Sequence, residues 1–321
     1  MKKIEQEQAT IVTHNGPFHA DDVVGVAVVK EFFSGKVEIL RTRDEVIVDD
    51  ADFVVDVGGE HHPHRGEFDH HQWKPSKGEG AIRENGIPYA SAGLVWSAYG
   101  HIFIRNILEQ DMPDEDGITL AHIDEAMELV DANFIAGVDA QDTGTSGFES
   151  PKGVKSFGAL VSTMNPTFLE QRKGASFDEK FEEAVDLALD ALRREVHNAL
   201  SVVVARDTFK FAEVKLGGRV KVLEQYVPWT ELEVPEEVTY VAFPGPDNAG
   251  WRLQQVPEEV GSFEGRKPLP EAWAGLRGED FQEEVGLDEV GSSTFCHPGR
   301  FIAGCETRED VLKMAEQALE A

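Results

Sequence analysis

The stretch that most constrains the fold is a β-branched run, Thr10–Thr13, that ends at His14. It passes through the turn Asn15-Gly16-Pro17 into an apolar periodic run. Asp21 and Asp22 stand just before Val23, Val24, Ala27 and Val28, the acidic signature of a helix N-terminus, and the run stops near Ser34-Gly35. Val37–Leu40 and Asp52–Val55 read as further strands. Strand, helix and strand in this order predict a βαβ unit with parallel strands. Such sheets hold ligands beyond the carboxyl ends of their strands, where His14 and Asp56 fall.

Downstream, Tyr89–Ile107 reads as a helix broken near Gly100. Leu120–Phe134 reads as another, followed by a loop over Gly137–Gly153. Phe177, Phe181, Val185, Ala188, Leu192, Val196 and Leu200 keep a near-helical step, which predicts one long amphipathic helix. Beyond it the texture changes to strands at Val220–Leu223, Thr239–Phe243, Trp251–Val256, Thr294–Cys296 and Phe301–Ala303. A closing helix follows over Asp310–Leu319, and the acidic Glu231–Glu237 reads as a solvated loop. The 321 residues suggest about two domains. The expected division is 1–170, a connecting helix over 171–200, and 201–321. The fold class is α/β, with a parallel sheet flanked by helices in the first part and a smaller α+β second part.

Thirty Lys and Arg against 60 Asp and Glu leave a formal charge of −30. Such a surface repels nucleic-acid phosphates unless bases gather locally, and it disfavours a polybasic membrane contact. Cys296 and Cys305 are too few for a disulfide framework or a thiolate zinc cluster, so a reducing compartment is expected. Met1–Thr10 is charged and unlike a signal peptide. No uncharged apolar run reaches the length of a membrane span. The expected location is cytoplasmic, with no membrane partner.

Of the 11 histidines, seven fall between positions 14 and 71: His14, His19, His61, His62, His64, His70 and His71. Acids accompany them in four clusters: His14–Asp22, Val54–Gly59, Phe68–Gln72 and Gly137–Gly144. Imidazole and carboxylate together suit Mn²⁺, Zn²⁺, Fe²⁺ or Co²⁺. Any one of these acids alone reads as a turn residue. Converging without a cation, all four clusters would repel one another. His14, His19, Asp21, Asp56, His70 and Asp139 number about twice the three ligands a single catalytic zinc takes. Two ions sharing a carboxylate would use such a set.

Asp69-His70-His71 after a strand-end Asp56 resembles the motif of the DHH phosphoesterase superfamily, which includes RecJ-type nucleases, family II pyrophosphatases and oligoribonucleases. Thr13–Asp22, Asp56–Glu60 and Phe68–Gln72 more specifically resemble the melanocyte-proliferating-gene (MYG) family. That family is often labelled a metal-dependent protein hydrolase, and its eukaryotic members are regarded as 3′–5′ RNA exonucleases. Tyr226–Trp229, Trp251–Pro257 and Phe295–Gly304 resemble further family blocks, so the likeness spans nearly the whole chain.

The resemblance implies a DHH-like N-terminal catalytic domain and a smaller C-terminal substrate domain that closes over it. It implies two divalent ions, Mn²⁺ first and Mg²⁺, Zn²⁺ or Co²⁺ as alternatives. His14 and His19 would hold one ion, Asp21, His70 and Asp139 the other, and Asp56 would bridge. Asp142 competes with Asp139, which is favoured because it follows the apolar run Phe134–Val138. Asp69 would orient His70 from behind, and His71 would face the substrate phosphate or leaving group. His297, with Arg300 and Arg277, would supply phosphate donors from the second domain.

Two departures stand out. His61-His62-Pro63-His64 replaces a Tyr-Asp pair common in the family, read either as an extra metal or phosphate contact or as a polar surface loop. Cys296-His297-Pro298-Gly299-Arg300 replaces a small, glycine-rich run. The implied activity is a two-metal phosphoesterase, either a 3′–5′ exonuclease or an oligonucleotide hydrolase acting on RNA. The alternatives are hydrolysis of a small phosphorylated metabolite or nucleotide, a metal-dependent binding protein without turnover, and the amide hydrolysis of the family label. Self-association is left open.

Overall fold

A computed structural model describes residues 8–33, 36–74, 78–115, 117–145, 147, 151–259, 262 and 264–321. Contacts divide the chain into two units, Met1–Leu200 and Ser201–Ala321.

The first unit is built on a five-stranded sheet of order β2-β1-β3-β5-β4. Its strands are β1 (Gln8–Thr13), β2 (Lys36–Arg41), β3 (Phe53–Val55), β4 (His61–His62) and β5 (Glu67–Phe68). β1 pairs in parallel with β2 and β3, and β3 with β5, while β4 returns antiparallel at the edge. The expected βαβ unit is present, with α1 (Ala20–Lys30) as its crossover. Every residue of α1 from Ala20 to Val29 is buried. A helix apolar on all sides belongs inside a domain, and α1 lies between the sheet and helices α3, α5 and α6. Burying each of its valines contributes about 1.5–3 kcal/mol. The stop at Ser34-Gly35 lies outside the described residues.

After the short α2 (Glu45–Asp49), α3 runs unbroken over Ser91–Asp111. The break expected at Gly100 is absent. A Cβ there would lie 2.9 Å from the Trp96 indole and 3.3 Å from Met127 Cε, so the glycine admits a close neighbour within a continuous helix. α4 (Leu120–Val130) continues through a π-helical segment, Asp131–Ile135, into α5 (Ala136–Asp142). The start of the expected Gly137–Gly153 loop is therefore helical, and residues 146 and 148–150 lie outside the described set. α6 (Phe157–Ser162) and α7 (Phe168–Gln171) lead to α8 (Phe177–Phe211). α8 runs past Leu200 because buried apolar positions continue at Val203, Ala205 and Phe209.

The second unit carries a six-stranded sheet of order β10-β11-β9-β8-β7-β6. The strands are β6 (Glu213–Lys215), β7 (Val220–Val222), β8 (Tyr240–Pro244), β9 (Trp251–Gln255), β10 (Phe295–Cys296) and β11 (Ile302–Cys305). Only the β7–β8 pair is parallel. One buried cluster joins Tyr240, Leu253 and Ala303 to α9 (Gly278–Val285) and α10 (Arg308–Glu320). A second gathers Phe209, Trp229, Val241 and Phe243. The molecule is thus a mixed α/β protein with two sheets. Among the described residues, no helix is long and apolar enough to cross a membrane. Cys296 and Cys305 are buried free thiols.

Candidate metal centre

The carboxyl ends of β1, β3 and β5 deliver His14, Asp56 and the run Asp69-His70-His71 to one edge of the parallel sheet. The N-terminus of α1 adds Asp21 and Asp22, and the end of α5 adds Asp142. Asp56 leaves β3 with φ 59°, a left-handed conformation uncommon outside glycine and best tolerated by Asp and Asn. Its backbone N–H donates to Phe68 O at 3.0 Å, which holds the turn.

Three groups of side chains bring ligand atoms within 4.8 Å of one another: His14, Asp22 and Asp56; Asp21, His70 and Asp142; and Asp56, His70 and His71. Asp56 joins the groups through different oxygens. Its Oδ2 lies 3.5 Å from His14 Nε2, and its Oδ1 lies 3.4 Å from both His70 Nε2 and His71 Nδ1. His14 Nε2 is 3.2 Å from Asp22 Oδ2, and His70 Nε2 is 3.2 Å from Asp142 Oδ2 and 3.8 Å from Asp21 Oδ2. The His14 ring is oriented by Nδ1 against Asn15 O at 3.2 Å, which turns Nε2 toward the acids.

These residues fit divalent ions. Asp22 Oδ2 and His70 Nε2 are buried without a hydrogen-bond partner, a costly state unless something else satisfies them. Burial, with the charges of Asp56, Asp142 and Asp139, pushes the Asp21 carboxyl well above its ordinary range. Burial lifts Asp22 to about 7 against the pull of His14. Burial disfavours a charged His70, yet the adjacent carboxylates of Asp142 and Asp56 push it up to about 11. Burial likewise opposes the ionised Asp56, but the adjacent rings of His14 and His70 and the charge of His71 hold it well below the usual carboxylate range.

Several expected residues sit elsewhere. Asp69 holds His71 rather than His70: its Oδ1 accepts from His71 N at 3.0 Å and lies 2.7 Å from His71 Nδ1, and its Oδ2 accepts from Gly59 N at 2.6 Å. An Asp side chain readily bonds the backbone two residues on, and that local turn decides the partner. The hydrogen bond to Asp69, against burial and with help from Asp56, raises the His71 pKa. His19 is at the rim, its side chain 59% exposed and its Nδ1 3.9 Å from Asp142 Oδ1. Asp139 is buried against Arg83, with Nη1 2.8 Å from Oδ2, and accepts from Gly93 N at 3.0 Å. Burial lifts its carboxyl to about 7, opposed by Arg83 and the Gly93 amide.

Asp22 was not among the sequence candidates. Its signal lay in the spacing to His19, whose backbone N–H donates to Asp22 Oδ1 at 2.8 Å as a helix cap, fixing the carboxylate toward His14. In the His61–His64 run, His61 meets Phe68 and Trp73 edge to face, His62 pairs with Glu67 at 3.1 Å, and His64 is exposed; none joins the three groups.

In the second unit, His297 is half-buried, its Nδ1 accepts from Gly299 N at 3.0 Å, and its ring lies 4.4 Å from that of Phe301. Arg300 donates to Leu269 O at 3.2 Å, and the exposed Arg277 guanidinium lies 5.7 Å from the Phe295 ring centroid.

The family model labelled MYG1 exonuclease, described as an uncharacterised protein family (UPF0160), matches residues 10–319. A MYG1 protein of Caenorhabditis elegans is 31% identical over 97% of this chain and 95% of its own. A MYG1 protein of Schizosaccharomyces pombe is 32% identical over 97% of each. The human MYG1 exonuclease is 32% identical over 96% of this chain and 85% of its own. No solved structure matches. With a family match across almost its whole length, this chain belongs to the MYG1 exonuclease family.

Proposed function

We propose that the protein is a metal-dependent phosphodiesterase of the nuclease type, a 3′–5′ exonuclease or oligonucleotide hydrolase. The observation that carries this is Asp56, one carboxylate facing two His/Asp groups through its two oxygens. His14, Asp22 and Asp56 would hold one divalent ion, and Asp56, Asp21, His70 and Asp142 a second, with Mn²⁺ the first choice. Bound there, such ions supply Lewis acidity toward a phosphoryl oxygen and lower the pKa of water. The relatives named exonucleases support a nucleic-acid substrate.

The chain's own residues do the rest. Asp69 fixes His71 through backbone and ring, and the raised His71 pKa keeps a proton available on a side chain that is 64% exposed. His71 would donate that proton to the leaving oxygen. His297 and Arg277 are assigned to phosphate contacts, with Arg300 less free because it bonds Leu269 O. The buried free thiols fit a reducing compartment, and a cytoplasmic location is proposed.

A second reading, hydrolysis of a small phosphorylated metabolite or nucleotide, is favoured by the −30 charge, which penalises approach of a long polyanion. One experiment separates the two. Purified protein with Mn²⁺ is offered 5′-labelled single-stranded RNA, short oligonucleotides, nucleotides and pyrophosphate. A ladder shortening from the 3′ end supports exonuclease action. Turnover of the small substrates alone supports the second reading, and no cleavage of any substrate contradicts both.

A further inference from the structure

Arg83 is a buried cation that the proposed chemistry does not use. Its Nε and Nη2 both donate to Asp131, at 2.7 Å each, while Nη1 lies 2.8 Å from Asp139 Oδ2. The guanidinium carbon sits 3.9 Å from the Tyr89 ring centroid. Asp131 and Asp139 lie eight residues apart on the α4–α5 helix, which would leave them about 80° out of phase on a regular α-helix. The π-helical segment Asp131–Ile135 winds less per residue and brings both carboxylates onto one guanidinium.

The pair reaches the metal centre by two short routes. Asp139 Oδ1 accepts from Gly93 N at 3.0 Å, in the first turn of α3. A Cβ at Gly93 would fall 1.9 Å from Asp139 Oδ2 and 2.7 Å from Arg83 Nη2, so the helix end rests directly on the pair. That same turn donates from Ser91 N and Ala92 N to the two oxygens of Asp21, at 3.0 and 2.7 Å. The Ser91 hydroxyl donates to Asp56 Oδ1 at 3.1 Å. α3 has no side chain of its own at its cap, and these carboxylates satisfy its first amides. In the other direction, Thr143 N donates to Asp139 O at 2.9 Å, one turn of helix that also carries Asp142.

Given the metal-centre reading on which this inference rests, we infer that Arg83 is a positioning residue for the centre. It acts through Asp139, and Asp139 is its buried counterion rather than a metal ligand. Arg83 clamps the helix that brings in Asp142 and the helix end that aims Asp21 and Asp56.

The test is a double-mutant cycle on the full chain, read by Mn²⁺ titration calorimetry and elemental analysis beside RNA cleavage. Arg83→Met should weaken Mn²⁺ binding by about tenfold or more, and lower kcat with KM little changed. Asp139→Asn, which keeps an acceptor for Gly93 N, should weaken binding while the ion count per chain stays that of the wild type. The double variant should bind Mn²⁺ about as weakly as Arg83→Met alone, because both residues act through the one clamp. Arg83→Lys keeps the charge without the fork and should fall between, which preserves the test if Arg83→Met does not fold. Wild-type Mn²⁺ affinity in both Arg83 variants would overturn the inference. So would loss of one ion in Asp139→Asn, the behaviour of a true ligand. A wild-type chain that binds Mn²⁺ but leaves RNA intact contradicts the nuclease reading alone, and the calorimetric arms still decide the role of Arg83. A wild-type chain that binds no Mn²⁺ overturns both.

Discussion

Two histidine-rich stretches lie side by side on the same sheet and have opposite surroundings. His61 and His62 form β4, the antiparallel edge strand, and meet an aromatic pair and the local acids Glu60 and Glu67. His70 and His71 follow β5, whose parallel neighbours send His14 and Asp56 to the same edge. Histidine density is similar in the two. What differs is convergence: the carboxyl ends of parallel strands point the same way, so residues distant in sequence meet there, whereas an antiparallel edge strand meets only its own turn.

The shared edge is most sensitive at Asp56. Asp56→Asn should cut phosphoester hydrolysis by at least about a hundredfold, since both proposed ion positions share that carboxylate. Steady-state cleavage with metal content measured in parallel checks it. His71→Ala should lower kcat by up to about a hundredfold at unchanged metal content, the behaviour of a proton donor. Asp69→Asn should give a smaller loss of the same kind, and its kcat–pH profile should move to lower pH as His71 loses its anionic partner.

A milder effect follows from protons. His70, held at about 11, and Asp22, lifted to about 7, both carry protons near pH 6. Each pKa lies above its ordinary value, so the protons are retained until pH passes the raised value, and a bound ion must displace them. Mn²⁺ affinity should therefore rise from pH 6 to 8, by about tenfold per pH unit for the His70 proton and more steeply below pH 7, where Asp22 also releases one. Calorimetry in two buffers of different ionisation enthalpy counts those protons, and a pH-independent affinity would contradict the assignment. The smallest effect belongs to the other stretch. His62→Ala should change cleavage less than about twofold, as expected of a surface substitution outside the site.

Much of this contrast is legible in the amino-acid order. The β-branched run before His14, the two valines before Asp56 and the acids opening α1 mark the βαβ unit and the edge where the His/Asp groups gather. What escapes the sequence is phase. Asp139 meets Arg83 beside Asp131 because a π-helical segment between the two acids rotates the helix, and no residue type announces that segment. Asp21 and Asp22 are adjacent, and only the cap onto His19 N turns Asp22 toward His14. Asp69 bonds the histidine two residues on because a local turn is easier to close than a contact through space. Gly100 reads as a helix break, yet it is a site of close packing against Trp96 and Met127. The likeness to the wider DHH superfamily rests on the motif, while family membership rests on nearly the whole chain.

The central claim is that one carboxylate serves two ion positions. Its most direct test is the Mn²⁺ content of wild-type protein and of Asp56→Asn, each reconstituted under the same conditions and analysed beside thermal unfolding of the metal-free forms. About two ions are expected per wild-type chain, with weakened binding at both positions in the variant and the metal-free fold intact. Two ions retained at wild-type affinity in Asp56→Asn, or none in the wild type, would contradict it.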